Sequence, residues 1–172
     1  MMAAPTVFSS SSSSSSASRW TYDVFLNFKG EDTRNNLTSD LNAALVSKGI
    51  RTFMDSDSEN LEIGEQIPEG LENVIKESMF AIIIFSENYA NSKWCLEELA
   101  LIMETHGQKV FPVFLEKLDP SKVEGWRSGK YFEQHETRFG REVVERLGSA
   151  LIQAAQASGF RLKDFGNQKR VD

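Results

Sequence analysis

The 172-residue chain has one cysteine, Cys95, and two histidines, His106 and His135. One cysteine excludes an intrachain disulfide and fits a reducing compartment. The histidines stand in no metal-ligand spacing, so no metal is expected. No apolar run approaches the roughly 20 residues that a membrane helix needs, so no membrane partner is expected. Positive charge is also short: 19 Lys and Arg stand against 25 Asp and Glu, a net charge of −6. That balance opposes a sequence-independent grip on nucleic-acid phosphates. No Walker loop, G-x-G-x-x-G, C-x-x-C or H-E-x-x-H occurs. A bound dinucleotide would therefore not be held in the Rossmann manner. Internal repeats are absent too.

What is present suits one globular domain with a real core. Apolar residues make up 40% and charged residues 26%, which is ordinary for such a domain. The first 19 residues read differently. Ser9 to Ser16 is an unbroken serine run, a low-complexity stretch expected to be disordered. It has no acid and faintly resembles an organelle transit peptide, but the tract is short, and a flexible leader is the favoured reading over plastid targeting. We expect a leader over 1–19, a domain over 20–163 and a flexible tail over 164–172. The basic residues near the end, Arg161, Lys163, Lys169 and Arg170, are a small exception to the acidic balance and read as solvated.

Four apolar runs alternate with helical patterns. The expected strands are Tyr22–Phe28, Ile50–Phe53, Met79–Phe85 and Val110–Leu115, with Phe160–Leu162 as a short fifth. The run MFAIIIF reads as a strand buried on both faces. Between the strands, period-3.6 faces are formed by Leu37, Leu41, Ala44 and Leu45, by Leu71, Val74 and Ile75, and by Leu99, Ile102 and Met103. A last helix carries Val144, Leu147, Leu151, Ala154 and Ala155. Gly49, Gly107 and Gly159 fall where a helix ends in a left-handed residue, and Pro68 where one begins. This alternation gives a parallel sheet with helices on both faces. Ligands then bind outside the carboxyl ends of the strands. The loops at that edge are Lys29–Arg34, Asp55–Glu65, Ser86–Ser92 and Glu116–Gly125. The acidic loop around Gly64 is expected to be mobile.

On the helix after Ser92, Trp94 and Glu98 stand four residues apart, so both point to one face. An aromatic plate beside one carboxylate, at the mouth of a sheet, suits the binding and cleavage of a nucleoside. A response-regulator receiver shares the alternation but needs an aspartate at the end of its third strand; Phe85-Ser86-Glu87 stands there instead.

The sequence YDVFLNFKGEDTR (Tyr22 to Arg34) and the sequence FSENYANSKWCLEEL (Phe85 to Leu99) resemble the TIR domain of plants, the signalling module of intracellular immune receptors and of shorter TIR-only proteins. FPVF, DPSKV and ASGF match the rest in order, so the resemblance covers roughly Tyr22 to Leu162. It implies a flavodoxin-like three-layer α/β fold with a five-stranded parallel sheet. It implies self-association with other TIR domains and cleavage of NAD at the nicotinamide–ribose bond, yielding nicotinamide and ADP-ribose-derived signals. NAD is then substrate rather than cofactor, and use of NADP is left open. The catalytic glutamate falls on Glu98 and the nucleotide-contacting aromatic on Trp94. Lys29, Gly30, Arg34 and Ser92 fall at the pocket rim, with Asp57, Glu59 and Gly64 on the mobile loop beside it. The implied location is the cytoplasm, with the nucleus as a second site. A non-catalytic adaptor that works by TIR–TIR contact is the rival reading.

Other residues read more plainly. Glu97 is rotated about 100° from Glu98 and reads as solvated. Cys95 reads as a packing residue, since no histidine is placed to activate it. Arg34 serves equally as an ion-pair partner of Glu31 or Asp32 and as a phosphate contact. Trp20 and Trp126 take no assignment. The chain also departs from the family pattern. Asn27 and Lys29 replace a serine and an arginine, and lysine lacks the bidentate fork. Ile63 replaces an arginine before Gly64, Ser39-Asp40 replaces Ser-His, GWRSGKYF replaces a longer turn, and Leu147 replaces a tryptophan. The expected catalytic residues are intact; the expected assembly surfaces are altered.

Overall fold

The computed structural model describes residues 20–33, 37–54, 69–106, 109–115 and 117–162. Expectations for the leader, Arg34, Asp57, Glu59, Gly64, Pro68, Gly107 and the tail lie outside these residues. Five strands form one parallel sheet in the order β2-β1-β3-β4-β5. They are β1 (Tyr22–Asn27), β2 (Thr52–Met54), β3 (Ser78–Phe85), β4 (Val110–Phe114) and β5 (Phe160–Arg161). Seven α-helices accompany them among the described residues: α1 (Gly30–Thr33), α2 (Ser39–Ser47), α3 (Glu69–Lys76), α4 (Lys93–His106), α5 (Pro120–Gly125), α6 (Lys130–Phe139) and α7 (Arg141–Gln156). The strands that were legible as apolar runs end within two residues of the expected bounds.

The sheet separates two apolar layers because side chains alternate along each strand. Val24, Leu26, Phe28 and Ile84 face α2, where Leu37, Leu41 and Leu45 pack on them. Phe25, Ala81, Ile83 and Phe85 face the larger layer with Leu96, Leu99 and Ile102 of α4 and Val144, Leu147 and Leu151 of α7. Asn27 follows the parity of Phe25, so it points to the α4 side. Leu147, in place of tryptophan, is fully buried there.

Several expectations change. The stretch read as a loop up to Gly125 contains α5, whose first turn is capped by Asp119 accepting from the Lys122 N–H at 2.9 Å, with Pro120 in that turn. The segment Lys130–Phe139 is a helix that buries Phe132 and His135. Ala44 is exposed, so the buried face of α2 is narrower than the expected one. Phe80 is 44% exposed, so β3 is not covered along its full length. Gly49 does end α2 with φ 80°, its N–H reaching Val46 O and that of Ile50 reaching Leu45 O, a left-handed stop. Gly159 serves otherwise: a Cβ there would lie 2.0 Å from the Pro112 carbonyl oxygen, so close approach to β4 requires it.

Candidate active site at the carboxyl edge of β1

Asn27 ends β1 and is fully buried. Directly above it lies the first turn of α4. Ser92 starts that helix by accepting from the Cys95 N–H at 3.1 Å, which satisfies an otherwise unpaired donor. One turn on, Glu98 projects back to the sheet edge and is only 3% exposed. Its Oε1 accepts from Asn27 Nδ2 at 3.0 Å, and its Oε2 accepts from the indole N–H of Trp94 at 2.8 Å. Both groups are pure donors at those atoms, so the site is built around an acceptor at each carboxylate oxygen. Trp94 is half-buried and joins Glu98 by its edge.

A second layer fixes Asn27. The Tyr89 hydroxyl donates to Asn27 Oδ1 and also lies 3.2 Å from the Cys95 carbonyl. Asn27 Nδ2 reaches that same carbonyl at 3.4 Å. Tyr89 is fully buried, with Trp126 stacked 6.4 Å from its ring and Phe85 set edge-on at 5.0 Å. Burial, then the neighbouring Cys95 and Glu98, push the Tyr89 phenol well above its ordinary range, so it remains a donor. Trp126 thereby gains a place in the support of the site.

The loops on either side are tied together. Cys95 Sγ donates to the Phe28 carbonyl at 3.3 Å, which seats the Phe28–Gly30 corner on α4. Burial, then Glu98, push the Cys95 thiol up to about 12. Cys95 is thus a packing residue, as expected. Lys29 is half-buried and Gly30 buried at this corner. Asp32 accepts from the Ser86 hydroxyl at 2.6 Å and the Asn88 N–H at 3.1 Å. It joins the loops after β1 and β3. Tyr131 of α6 extends this tie by donating to Asn88 Oδ1 at 3.2 Å. Glu97 is not simply solvated: it pairs with Lys93 at 3.2 Å and with Arg146 of α7 at 2.7 Å.

Of the expected site residues, Glu98, Trp94, Ser92, Lys29 and Gly30 thus come together at one sheet edge. Asn27 and Tyr89 were not singled out as site residues, and only the inward parity of β1 and the position of Tyr89 before the helix hinted at them. Among the described residues no group of three His, Cys, Asp or Glu is placed to hold a metal ion. None of their helices is long and apolar enough to cross a membrane.

Comparison with known proteins follows the same lines. The family model for the TIR domain matches residues 21–171. The chain is 49% identical over 154 residues to TMV resistance protein N of Nicotiana glutinosa, covering 86% of this chain and 13% of that protein. It is 45% identical over 171 residues to disease resistance protein RPV1 of Vitis rotundifolia, covering 95% of this chain and 12% of that protein. The chain therefore spans about an eighth of the length of these relatives. Among solved structures, the TIR domains of the activated Roq1 resistosome, which directly recognises the pathogen effector XopQ, superpose with a TM-score of 0.70 at 42% identity, over 86% of this chain and 91% of that one.

Proposed function

The chain belongs to the TIR-domain family, with relatives among plant disease-resistance proteins, and from that premise we propose that Glu98 serves an NAD-cleaving site that becomes active when copies assemble. The products are nicotinamide and ADP-ribose-derived signalling nucleotides. The observation that carries the reading is the buried Glu98 carboxylate, held at one oxygen by Asn27 and at the other by Trp94.

The chemistry fits a lone carboxylate. Ordinary glycosidases need two, one of them to protonate the leaving group. Nicotinamide leaves NAD as a neutral molecule, so no general acid is required. A fixed negative charge beside the ribose opposes the positive charge that grows on it as the bond breaks. Trp94 offers a ring face to a base or to the nicotinamide, for about 1–3 kcal/mol by analogy with base stacking. A module acting by contact alone gives no reason to bury a carboxylate, which costs free energy unless it is well paired.

Glu98 is almost closed off in the single chain. Assembly then has a physical task, which is to favour the open form of the site over the closed one. TIR–TIR contact supplies that bias, as the assembled Roq1 domains suggest by analogy. The test is nicotinamide release from NAD by the purified chain, in dilute solution and tethered densely on beads, with Glu98→Gln as control. We expect release to rise more than linearly with density and to vanish in the variant. Equal release by Glu98→Gln would refute the catalytic reading. Specific activity that stays flat over a hundredfold range of density would refute the dependence on assembly.

A further inference from the structure

We infer that Asn27 is the positioning residue for Glu98, and that Tyr89 sets the direction in which the Asn27 amide points. The inference rests on the NAD-cleavage reading and adds to it a residue at which this chain differs from the serine of the resembling family.

An amide at the inward end of a core strand is costly to bury unless its polar atoms are satisfied. Here they are. Nδ2 donates to Glu98 Oε1 at 3.0 Å and faces the Cys95 carbonyl at 3.4 Å, while Oδ1 accepts from the Tyr89 hydroxyl. A flipped amide would set its oxygen against the Glu98 carboxylate and the Cys95 carbonyl, both acceptors. Tyr89, kept protonated by its burial, favours the orientation that presents N–H to Glu98. The network therefore has one direction: phenol to amide oxygen, amide nitrogen to carboxylate.

That direction matters because the terminal torsion of glutamate is broad. Trp94 holds one carboxylate oxygen, from the same helix that carries Glu98. Asn27 adds a second contact from a different element, at the other oxygen. Serine at position 27 carries a single hydroxyl on a shorter side chain, so one oxygen, set farther back on the strand, would have to donate to Glu98 and accept from Tyr89. The plane of the Glu98 carboxylate in this chain is thus set by the end of β1. A carboxylate oxygen can accept more than one hydrogen bond, so Asn27 can stay in place as a ribose hydroxyl arrives. Asn27 acts through Glu98 and touches no substrate.

The experiment measures kcat, KM and melting temperature for nicotinamide release by the assembled chain, in wild type, Asn27→Ser, Asn27→Asp, Tyr89→Phe and the Asn27→Ser/Tyr89→Phe double variant. We expect Asn27→Ser to lower kcat about 10- to 100-fold, the scale of a small misplacement, with KM within about twofold. The double variant should be no slower than Asn27→Ser, because the hydrogen-bonded path from Tyr89 to Glu98 runs through Asn27. Asn27→Asp should move the acid limb of the kcat profile upward by about one pH unit or more, since two adjacent carboxyls do not both ionise readily. Wild-type kcat in Asn27→Ser, with only the melting temperature lowered, would overturn the inference and leave the reaction assignment standing. Additive losses in the double variant would overturn the role of Tyr89. Absence of nicotinamide release by the wild type in every state of assembly would overturn the reaction assignment instead. In that case a carboxyl ¹³C NMR titration still decides the geometry: an unmoved Glu98 midpoint in Asn27→Asp would refute the contact itself.

Discussion

Replacing Glu98 by glutamine is the obvious probe of the site, and the hydrogen bonds predict that it is not silent in structure. Glutamine keeps the size of the side chain but turns one acceptor oxygen into an NH₂ group. Asn27 and Trp94 both point N–H groups at this side chain, so one of them must face another donor. Asn27 is fully buried and held by Tyr89, whereas Trp94 is half-buried. The oxygen of glutamine therefore stays with Asn27, and Trp94 loses its partner. Its freed N–H has a route to water, so the loss should be near the low end of a buried hydrogen bond to a charged group, about 1–1.5 kcal/mol. At this domain size that lowers the melting temperature by about 2–6 °C. Glu98→Ala is worse, since it strands the buried Asn27 N–H and opens a cavity; about 3 kcal/mol and about 6–12 °C are expected. Thermal melts give the order, and the Trp94 indole N–H resonance, followed by ¹⁵N NMR, gives the cause. It should move toward the position of a solvated indole in Glu98→Gln. Equal melting temperatures for the two variants, or an unmoved indole resonance, would refute this account. Nicotinamide release should be lost in both.

Three further outcomes follow from other parts of the fold. Gly159→Ala should destabilise by about 1–3 kcal/mol, the usual range for overpacking, because the new Cβ would meet the Pro112 carbonyl; denaturant melts measure it. His135 donates its Nε2–H to the Ala90 carbonyl over 2.9 Å in a buried setting, and burial above all, with Lys93 and Arg138 adding to it, lowers its pKa from near 6.5. The unfolded chain thus takes up a proton that the fold resists, so stability is full above about pH 6.5 and falls as pH drops through the folded value; His135→Gln should flatten that slope in melts from pH 7 to 5. Cys95, buried and pushed up to about 12, should resist thiol reagents at pH 8 until the chain is unfolded; rapid labelling of the native chain, read by mass, would contradict this.

The parts that were legible in the sequence share a cause. β1, β3 and β4 are apolar runs because the sheet buries them, and α7 shows its face clearly because seven of its residues are buried. Trp94 and Glu98 were legible because one helix carries both. α6 was missed because KYFEQHETRF buries only Phe132 and His135, too few to mark a period. The Asn27–Glu98 bond joins residues 71 apart, and nothing local to either residue announces it. Glu97 looked solvated because its partner Arg146 arrives from α7, 49 residues away. Local pattern thus gave the elements, and the site depended on which ends the sheet order brought together.

Helix α4 is gripped from two sides. From within, Asn27 and Tyr89 engage Glu98 and the Cys95 carbonyl. From outside, Arg146 bridges Glu97 and Glu104 at 2.7 Å each. The outer bridge is 41% exposed on the arginine and adds little energy, but its two anchor points lie two turns apart along the helix. A lever held at two points on one face and pinned about 100° round from that face has no easy axis of roll. On the proposed reading, access to the Glu98 carboxylate is expected to come from movement of the half-buried Trp94 side chain rather than of the helix that carries it.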